Sequence, residues 1–229
     1  MKYNLFLFDL DDTLLDFKES ERLSFFSGME SLGVKSDHHE LFKLYQTENN
    51  ALWKLFEQGL TTKDHLKVER FRKVFDAFNI DIDPELASKR YLETLPETVV
   101  LIDHAEEICE FLSGHGEIGI ITNGIHHVQT QRINNSKIKP YISFVSVSDM
   151  CGHAKPDPRF FEFSTKMAKN FSKDSTIIIG DRFDADILGA HRFGIDSCWF
   201  NPHQQKKPSE INPTYEIRHL SEIKNHFCF

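Results

Sequence analysis

The 229-residue chain contains no apolar run approaching the ~20 residues that a membrane-spanning helix needs. It also lacks any block of lysine and arginine. With a net charge of −8, neither a nucleic-acid polymer nor an anionic membrane is expected as a partner. Cysteine is sparse: Cys109, Cys151, Cys198 and Cys228 lie far apart and form no CxxC pair, which reads as reduced cytosolic thiols. Cys151 with His153 offers only two ligands in one loop, too thin a set for a zinc site. No GxGxxG follows the first apolar run, so a dinucleotide-binding oxidoreductase is rejected. There are no internal repeats or low-complexity tracts, and the N-terminus enters a strand with no signal-peptide pattern, so the expected location is cytoplasmic.

What is present is enough for a sizeable core: 40% of the residues are hydrophobic, over a length that fits one large domain or a domain with an insertion. Residues 17–95 read as all helix. Leu23, Phe26, Met29 and Leu32 recur near helical spacing until Gly33 stops them. Asp37 can cap a second helix reaching Phe56. Thr61 and Asp64 form a capping-box-like start for a third helix reaching about Phe78. Asp83-Pro84-Glu85 starts a fourth, with Pro84 at its first position. The dense phenylalanines here (Phe25, Phe26, Phe42, Phe56, Phe71, Phe75, Phe78) read as a helix-bundle core.

Beyond about residue 100 the pattern alternates. Helices near 103–113, 126–134, 158–170 and 184–193 precede apolar strands at 117–121, 142–147, 176–180 and 196–200. This rhythm implies a parallel sheet covered on both faces. The strand at 4–8 belongs with it across the helical insertion. The polar stretch 202–213, with three prolines, reads as a surface loop before a short last strand and helix. The expected architecture is therefore a Rossmann-like α/β core (1–16 and 96–229) with an inserted four-helix cap (17–95).

Chemistry-bearing residues gather at strand ends. Leu5-Phe6-Leu7-Phe8 runs into Asp9-Leu10-Asp11-Asp12-Thr13. Alternating strand residues face opposite ways, so Asp9 and Asp11 can point together while the chain stays extended. Two such close charges call for a cation, and Mg²⁺ is a hard ion usually held by one or two carboxylates plus phosphate. Ile118–Ile121 runs into Thr122-Asn123-Gly124, and Thr176–Ile179 into Gly180-Asp181, with Asp184 and Asp186 beyond. Lys155-Pro156 lies between them. In open parallel sheets, ligands bind outside the carboxyl ends of the strands. Each piece alone has an ordinary reading: an aspartate after a strand can be a helix N-cap, Thr-Asn-Gly is common turn composition, and a lysine is by default solvated. All of those readings must hold together to explain the pattern away.

The ordered set Asp-x-Asp-x-Thr, Thr-Asn-Gly, Lys-Pro and Gly-Asp with a later Asp resembles the four motifs of the haloacid dehalogenase-like (HAD) phosphohydrolases, over nearly the whole chain. The resemblance implies a helical cap over the carboxyl edge of the sheet, excluding water and reading the substrate. It implies Asp9 as nucleophile forming an aspartyl-phosphate, and Asp11 as the acid that protonates the departing oxygen and then deprotonates water. Thr122 and the Asn123 backbone N–H bind phosphate, and Lys155 sets a positive charge against the nucleophile and the transferring group. Mg²⁺, with Mn²⁺ as a substitute, is held by Asp9, Asp11 (through its backbone carbonyl) and Asp181, with Asp186 supporting and Asp184 exposed. Asp12 caps the turn after the strand. Dehalogenases of this superfamily lack the second aspartate, so Asp11 and Asp181 favour a Mg²⁺-dependent phosphatase; a phosphomutase uses the same groups.

A narrower resemblance is to the small bacterial pyrimidine 5′-nucleotidases. It rests on Asn49-Asn50-Ala51-Leu52-Trp53 and Glu57-Gln58-Gly59-Leu60-Thr61 in the cap, on Ile118–Gly124 with Gln129 and Arg132, and on Cys198-Trp199-Phe200-Asn201. His126 and His127 depart from the bulkier residues expected after Gly124. The narrower resemblance implies a pyrimidine base held against Phe17, Asn49, Trp53 and the loop near Gly59, although Trp53 fits a cap core equally well. The expected partner is a small phosphate monoester, and the expected assembly a monomer or weak homodimer. The alternatives are a sugar-phosphate or other metabolite phosphatase, a phosphomutase, or a binding protein that has lost turnover.

Overall fold

The structure is a computed structural model describing residues 1–208 and 210–227. The thiol expected at Cys228 and one residue of the 202–213 loop, Ser209, lie outside the described residues. The chain divides into two compact units, Met1–Phe17 with Val100–Phe229, and Lys18–Val99. In chain order the elements are β1 (Leu5–Phe8), α1 (Phe17–Ser31), α2 (His38–Glu57), α3 (Lys63–Phe78), α4 (Pro84–Thr94), α5 (Ala105–Ser113), β2 (Glu117–Thr122), α6 (His126–Asn134), β3 (Phe144–Val147), α7 (Pro158–Thr165), β4 (Thr176–Gly180), α8 (Leu188–Phe193), β5 (Asp196–Phe200), β6 (Tyr215–Ile217) and α9 (Ile223–Phe227).

The α/β unit is built on one six-stranded sheet ordered β3-β2-β1-β4-β5-β6. Every pairing is parallel. β1 and β4 are buried along their whole length, as apolar runs enclosed on both faces must be. The first strand in sequence is thus central, between β2 and β4. Phe8 pairs with Ile120 on one side and Ile179 on the other. Asp9 lies one residue past that level, and Thr122 and Asp181 two residues past it. One edge therefore collects all three loops, where the strand order switches direction around β1.

In the helical unit, Phe25 is wholly buried, 4.7 Å from Tyr45 and 5.3 Å from Phe42 between ring centroids, and Phe71 stacks on it at 6.2 Å. Of the phenylalanines expected as the bundle core, Phe25, Phe42, Phe71 and Phe75 are buried, whereas Phe26, Phe56 and Phe78 are only partly so. Asp37 and Asp83 cap α2 and α4 by accepting from His39 N and Glu85 N. The cap of α3 is Thr62, one residue later than expected: its hydroxyl accepts from His65 N. α7 stops at Thr165 rather than near 170. The Ser164 and Thr165 hydroxyls bond back to the carbonyls of Phe160 and Phe161, a local alternative that weakens helix propagation. The helix expected from 184 opens with a π-helical turn, Phe183–Ile187, before α8. No helix among the described residues is long and apolar enough to cross a membrane.

Candidate active site

The end of β1 delivers Asp9 into a buried ionic cluster. Lys155 Nζ donates to Asp9 Oδ1 at 2.5 Å, to Asp186 Oδ1 at 2.7 Å and to the Ile121 carbonyl at 2.8 Å. All three ammonium hydrogens are thereby used, and the residue is only 2% exposed. A solvated surface lysine is excluded. The Asn123 side chain fixes the lysine's backbone from both ends: Lys155 N donates to Asn123 Oδ1 at 2.8 Å, and Asn123 Nδ2 to the Lys155 carbonyl at 3.0 Å.

Asp186 reaches the cluster because the π-helical turn carries it inward, leaving Asp184 exposed and paired with Arg182. Its Oδ2 accepts from Arg182 N at 3.1 Å. The approach depends on Gly180, where a Cβ would stand 2.3 Å from Asp186 Oδ2. Thr13 joins the carboxylates. Its hydroxyl lies 3.4 Å from Asp9 Oδ2 and 3.3 Å from Asp181 Oδ1, and accepts from Asp181 N at 3.0 Å. Trp199, on β5, donates its indole N–H to the Asp181 carbonyl at 2.9 Å.

Carboxylate oxygens of Asp9, Asp181 and Asp186 lie within 4.8 Å of one another. Burial, then the charges of Asp186 and Asp11, push Asp9 up to about 7 against the pull of Lys155. Burial, then Asp9 and Asp186, push Asp181 up to about 8. Burial pulls the Lys155 ammonium down, but Asp186 and Asp9 outweigh it and hold its pKa above the ordinary lysine value. Fully ionised, three carboxylates and one ammonium leave two negative charges in a confined space. A divalent, oxygen-seeking cation fits both that excess and the donor set.

The Asp11 carboxylate does not take part in holding Lys155, which corrects the expectation that it points with Asp9 from an extended chain. The chain is no longer extended: the Leu10 carbonyl accepts from both Leu14 N and Leu15 N, and Asp12 adopts a φ of 59°. The Asp11 carboxylate is bonded instead to Arg132 Nη1 and to Gln129 Nε2, the latter at 2.6 Å. Gln129 also donates to Thr122 Oγ1 at 3.1 Å, and Gly124 N donates to the same oxygen at 3.1 Å. Both lone pairs of that hydroxyl are occupied, so its hydrogen remains to be donated, as binding an anion requires. Asp12 accepts from Phe17 N at 3.1 Å, capping the entry to α1.

The expected base-binding residues fare differently. Asn49 is buried in the helical unit, not displayed on a surface. Its Nδ2 donates to Glu21 Oε1 at 2.8 Å, and its Oδ1 accepts from Arg70 Nη1 at 3.0 Å. The Phe17 ring, expected as a stacking shelf, has the Arg132 guanidinium over it at 5.3 Å. Trp53 is half-buried and edge-on to Phe56, with centroids 5.7 Å apart. Cys109 is pushed up to about 12 by burial, and Cys198 is raised by burial as well, so neither is a thiolate nucleophile.

The model of the haloacid dehalogenase-like hydrolases matches residues 6–200, a span containing every group just described. The chain belongs to this family. It is 35% identical over 222 residues to the HAD-hydrolase YfnB of Bacillus subtilis, covering 97% of this chain and 94% of that protein. The crystal structure of YfnB bound to magnesium superposes with a TM-score of 0.91 at 33% identity, over 100% of both chains. The chain is 34% identical over 224 residues to the pyrimidine 5′-nucleotidase PynA of Streptococcus pneumoniae (97% and 94% covered). It is 27% identical over 231 residues to the pyrimidine 5′-nucleotidase YjjG of Escherichia coli (100% and 99% covered). Thr13, the last position of the opening Asp-x-Asp-x-Thr motif, takes part in the cluster, a role its place in the motif does not announce. Gln129 and Arg132 were visible only as part of a resemblance, and the Asn123 clamp on Lys155 left no signal beyond the Thr-Asn-Gly turn itself.

Proposed function

We propose that this HAD hydrolase is a Mg²⁺-dependent 5′-nucleotidase acting on pyrimidine nucleoside monophosphates through an aspartyl-phosphate on Asp9. The observation that carries the reading is the buried Lys155 bridging Asp9 and Asp186 beside Asp181, a cluster whose excess negative charge, once ionised, a divalent cation would neutralise. When bound, Mg²⁺ held by Asp9 and Asp181, with Asp186 behind them, supplies charge neutralisation for the transferring phosphoryl group. A carboxylate oxygen of Asp9 attacks phosphorus, and the bond from phosphorus to the ester oxygen breaks. Asp11 gives its proton to that departing oxygen, then takes one from the water that attacks the aspartyl-phosphate. Inorganic phosphate leaves and Asp9 is restored. Lys155 and the Thr122 hydroxyl stabilise the charge on the phosphoryl oxygens.

The magnesium-bound YfnB structure supports the metal, and the names of PynA and YjjG support the pyrimidine nucleotide. In the helical unit, Trp53 offers an aromatic face on which a pyrimidine can stack. The test is phosphate release across a panel of pyrimidine and purine monophosphates, sugar phosphates and p-nitrophenyl phosphate, with Mg²⁺ and with EDTA. Preference for pyrimidine monophosphates, abolished by EDTA, is the expected result. Equal or better turnover of sugar phosphates would remove the nucleotidase assignment, and undiminished activity in EDTA would remove the metal.

A further inference from the structure

Arg132 and Gln129 stand three residues apart on α6 and so share one face of it. Between them they hold both oxygens of Asp11: Arg132 Nη1 bonds Oδ1, and Gln129 Nε2 bonds Oδ2. Arg132 Nη1 also donates to Gln129 Oε1 at 2.8 Å. With its second amide hydrogen on Thr122 Oγ1, Gln129 has every hydrogen-bonding group committed, so its orientation has a single solution. Gly124 leaves room for this amide, since a Cβ there would stand 2.3 Å from Gln129 Nε2.

The pairing is poorly designed for stability alone. Arg132 is wholly buried, yet its Nε and Nη2 find no hydrogen-bond partner among the described residues. A guanidinium kept for structure does best as a two-pronged fork on one carboxylate, and buried ion pairs are often no better than apolar packing. The Arg132 side chain is 0% exposed, whereas that of Asp11 is 29% exposed. What the arrangement accomplishes is to fix the plane of one partly exposed carboxylate.

We infer that Arg132 and Gln129 are positioning residues for Asp11, aligning it for proton delivery to the departing ester oxygen; this rests on the acid–base reading of Asp11 given above. The step transfers the Asp11 proton to the oxygen as its bond to phosphorus breaks, leaving Asp11 as the carboxylate that Arg132 and Gln129 hold. A nucleoside alkoxide needs that proton, whereas p-nitrophenolate departs without it. Removing a positioning residue therefore penalises substrates by the basicity of their leaving group, which loss of fold or of phosphate binding does not.

The experiment measures kcat/KM, which reports the chemistry up to release of the alcohol, for a pyrimidine monophosphate and for p-nitrophenyl phosphate. Arg132→Met, Gln129→Ala and Asp11→Asn are compared with the unaltered protein. General acid catalysis contributes roughly 10²- to 10⁴-fold. Arg132→Met is expected to lose at least about 10²-fold on the nucleotide and less than about 10-fold on p-nitrophenyl phosphate, with Gln129→Ala showing the same pattern more weakly. Equal losses on both substrates overturn the inference. If Arg132→Met does not fold, Gln129→Ala decides on the same criterion. Selectivity in Asp11→Asn without selectivity in the other two overturns the positioning role and leaves the acid–base reading intact. Absence of selectivity in Asp11→Asn as well overturns both.

Discussion

Lys155 is a cation removed from water and satisfied wholly by protein, and Asp9 and Asp186 are its counter-charges. Removing one partner from such a group leaves uncompensated buried charge. Lys155→Ala is expected to cost about 3–5 kcal/mol of folding stability in urea unfolding and to eliminate turnover. Asp9→Asn is expected to keep the fold and abolish phosphate release, because the amide is a far weaker nucleophile. The raised carboxylates carry a pH signature. Asp9 near 7 and Asp181 near 8 retain protons that the unfolded chain has already released from ordinary aspartates. In that window the metal-free native state binds more protons than the unfolded state, so its stability falls as pH rises toward those values. Metal requires the ionised carboxylates and displaces the protons. The rise in melting temperature on adding Mg²⁺ is therefore expected to be larger at about pH 8 than at about pH 5.5. A shift of equal size at both would contradict the assignment of these carboxylates as the metal's ligands.

Among elements, the decisive ones are the loops after β1, β2 and β4 and the π-helical turn before α8. Gly180→Ala drives a methyl into Asp186 Oδ2 and is expected to destabilise by about 1–3 kcal/mol, lowering kcat more than it raises KM. Their placement was legible where a local rule governs it. The four residues of β1 and Ile177–Ile179 of β4 are apolar runs, and Asp37 and Asp83 are caps with a helix start directly after them. Legibility failed where two local signals compete or where the partner is remote. Thr61 and Thr62 are chemically equivalent as caps, and only the geometry chooses Thr62. The back-bonding of Ser164 and Thr165 that shortens α7 leaves the apolar spacing of the helix unchanged. Asp11 and Arg132 lie 121 positions apart, so no periodicity could announce that this carboxylate turns toward α6. Asn49 has an amphipathic helix around it but is buried, because Glu21 and Arg70 supply what its amide needs.

At the scale of the whole molecule, an α/β unit carries the phosphoryl chemistry and a separate helical unit, Lys18–Val99, carries Trp53. Substrate choice is the property that belongs to this scale. Base stacking is worth ~1–3 kcal/mol, or roughly 5- to 150-fold in affinity. Trp53→Ala is expected to raise KM for a pyrimidine monophosphate by a factor in that range and to leave p-nitrophenyl phosphate nearly unchanged. A loss of melting temperature with equal effects on both substrates would make Trp53 part of the bundle core. The central claim is phosphoryl transfer to Asp9, and its most direct test is to quench the Mg²⁺-loaded protein with acid during turnover of p-nitrophenyl phosphate and map the phosphoryl group by peptide mass spectrometry. The phosphoryl group is expected on the peptide containing Asp9 and absent from Asp9→Asn. A phosphoryl group on any other residue, or an Asp9→Asn protein that still turns over, would contradict it.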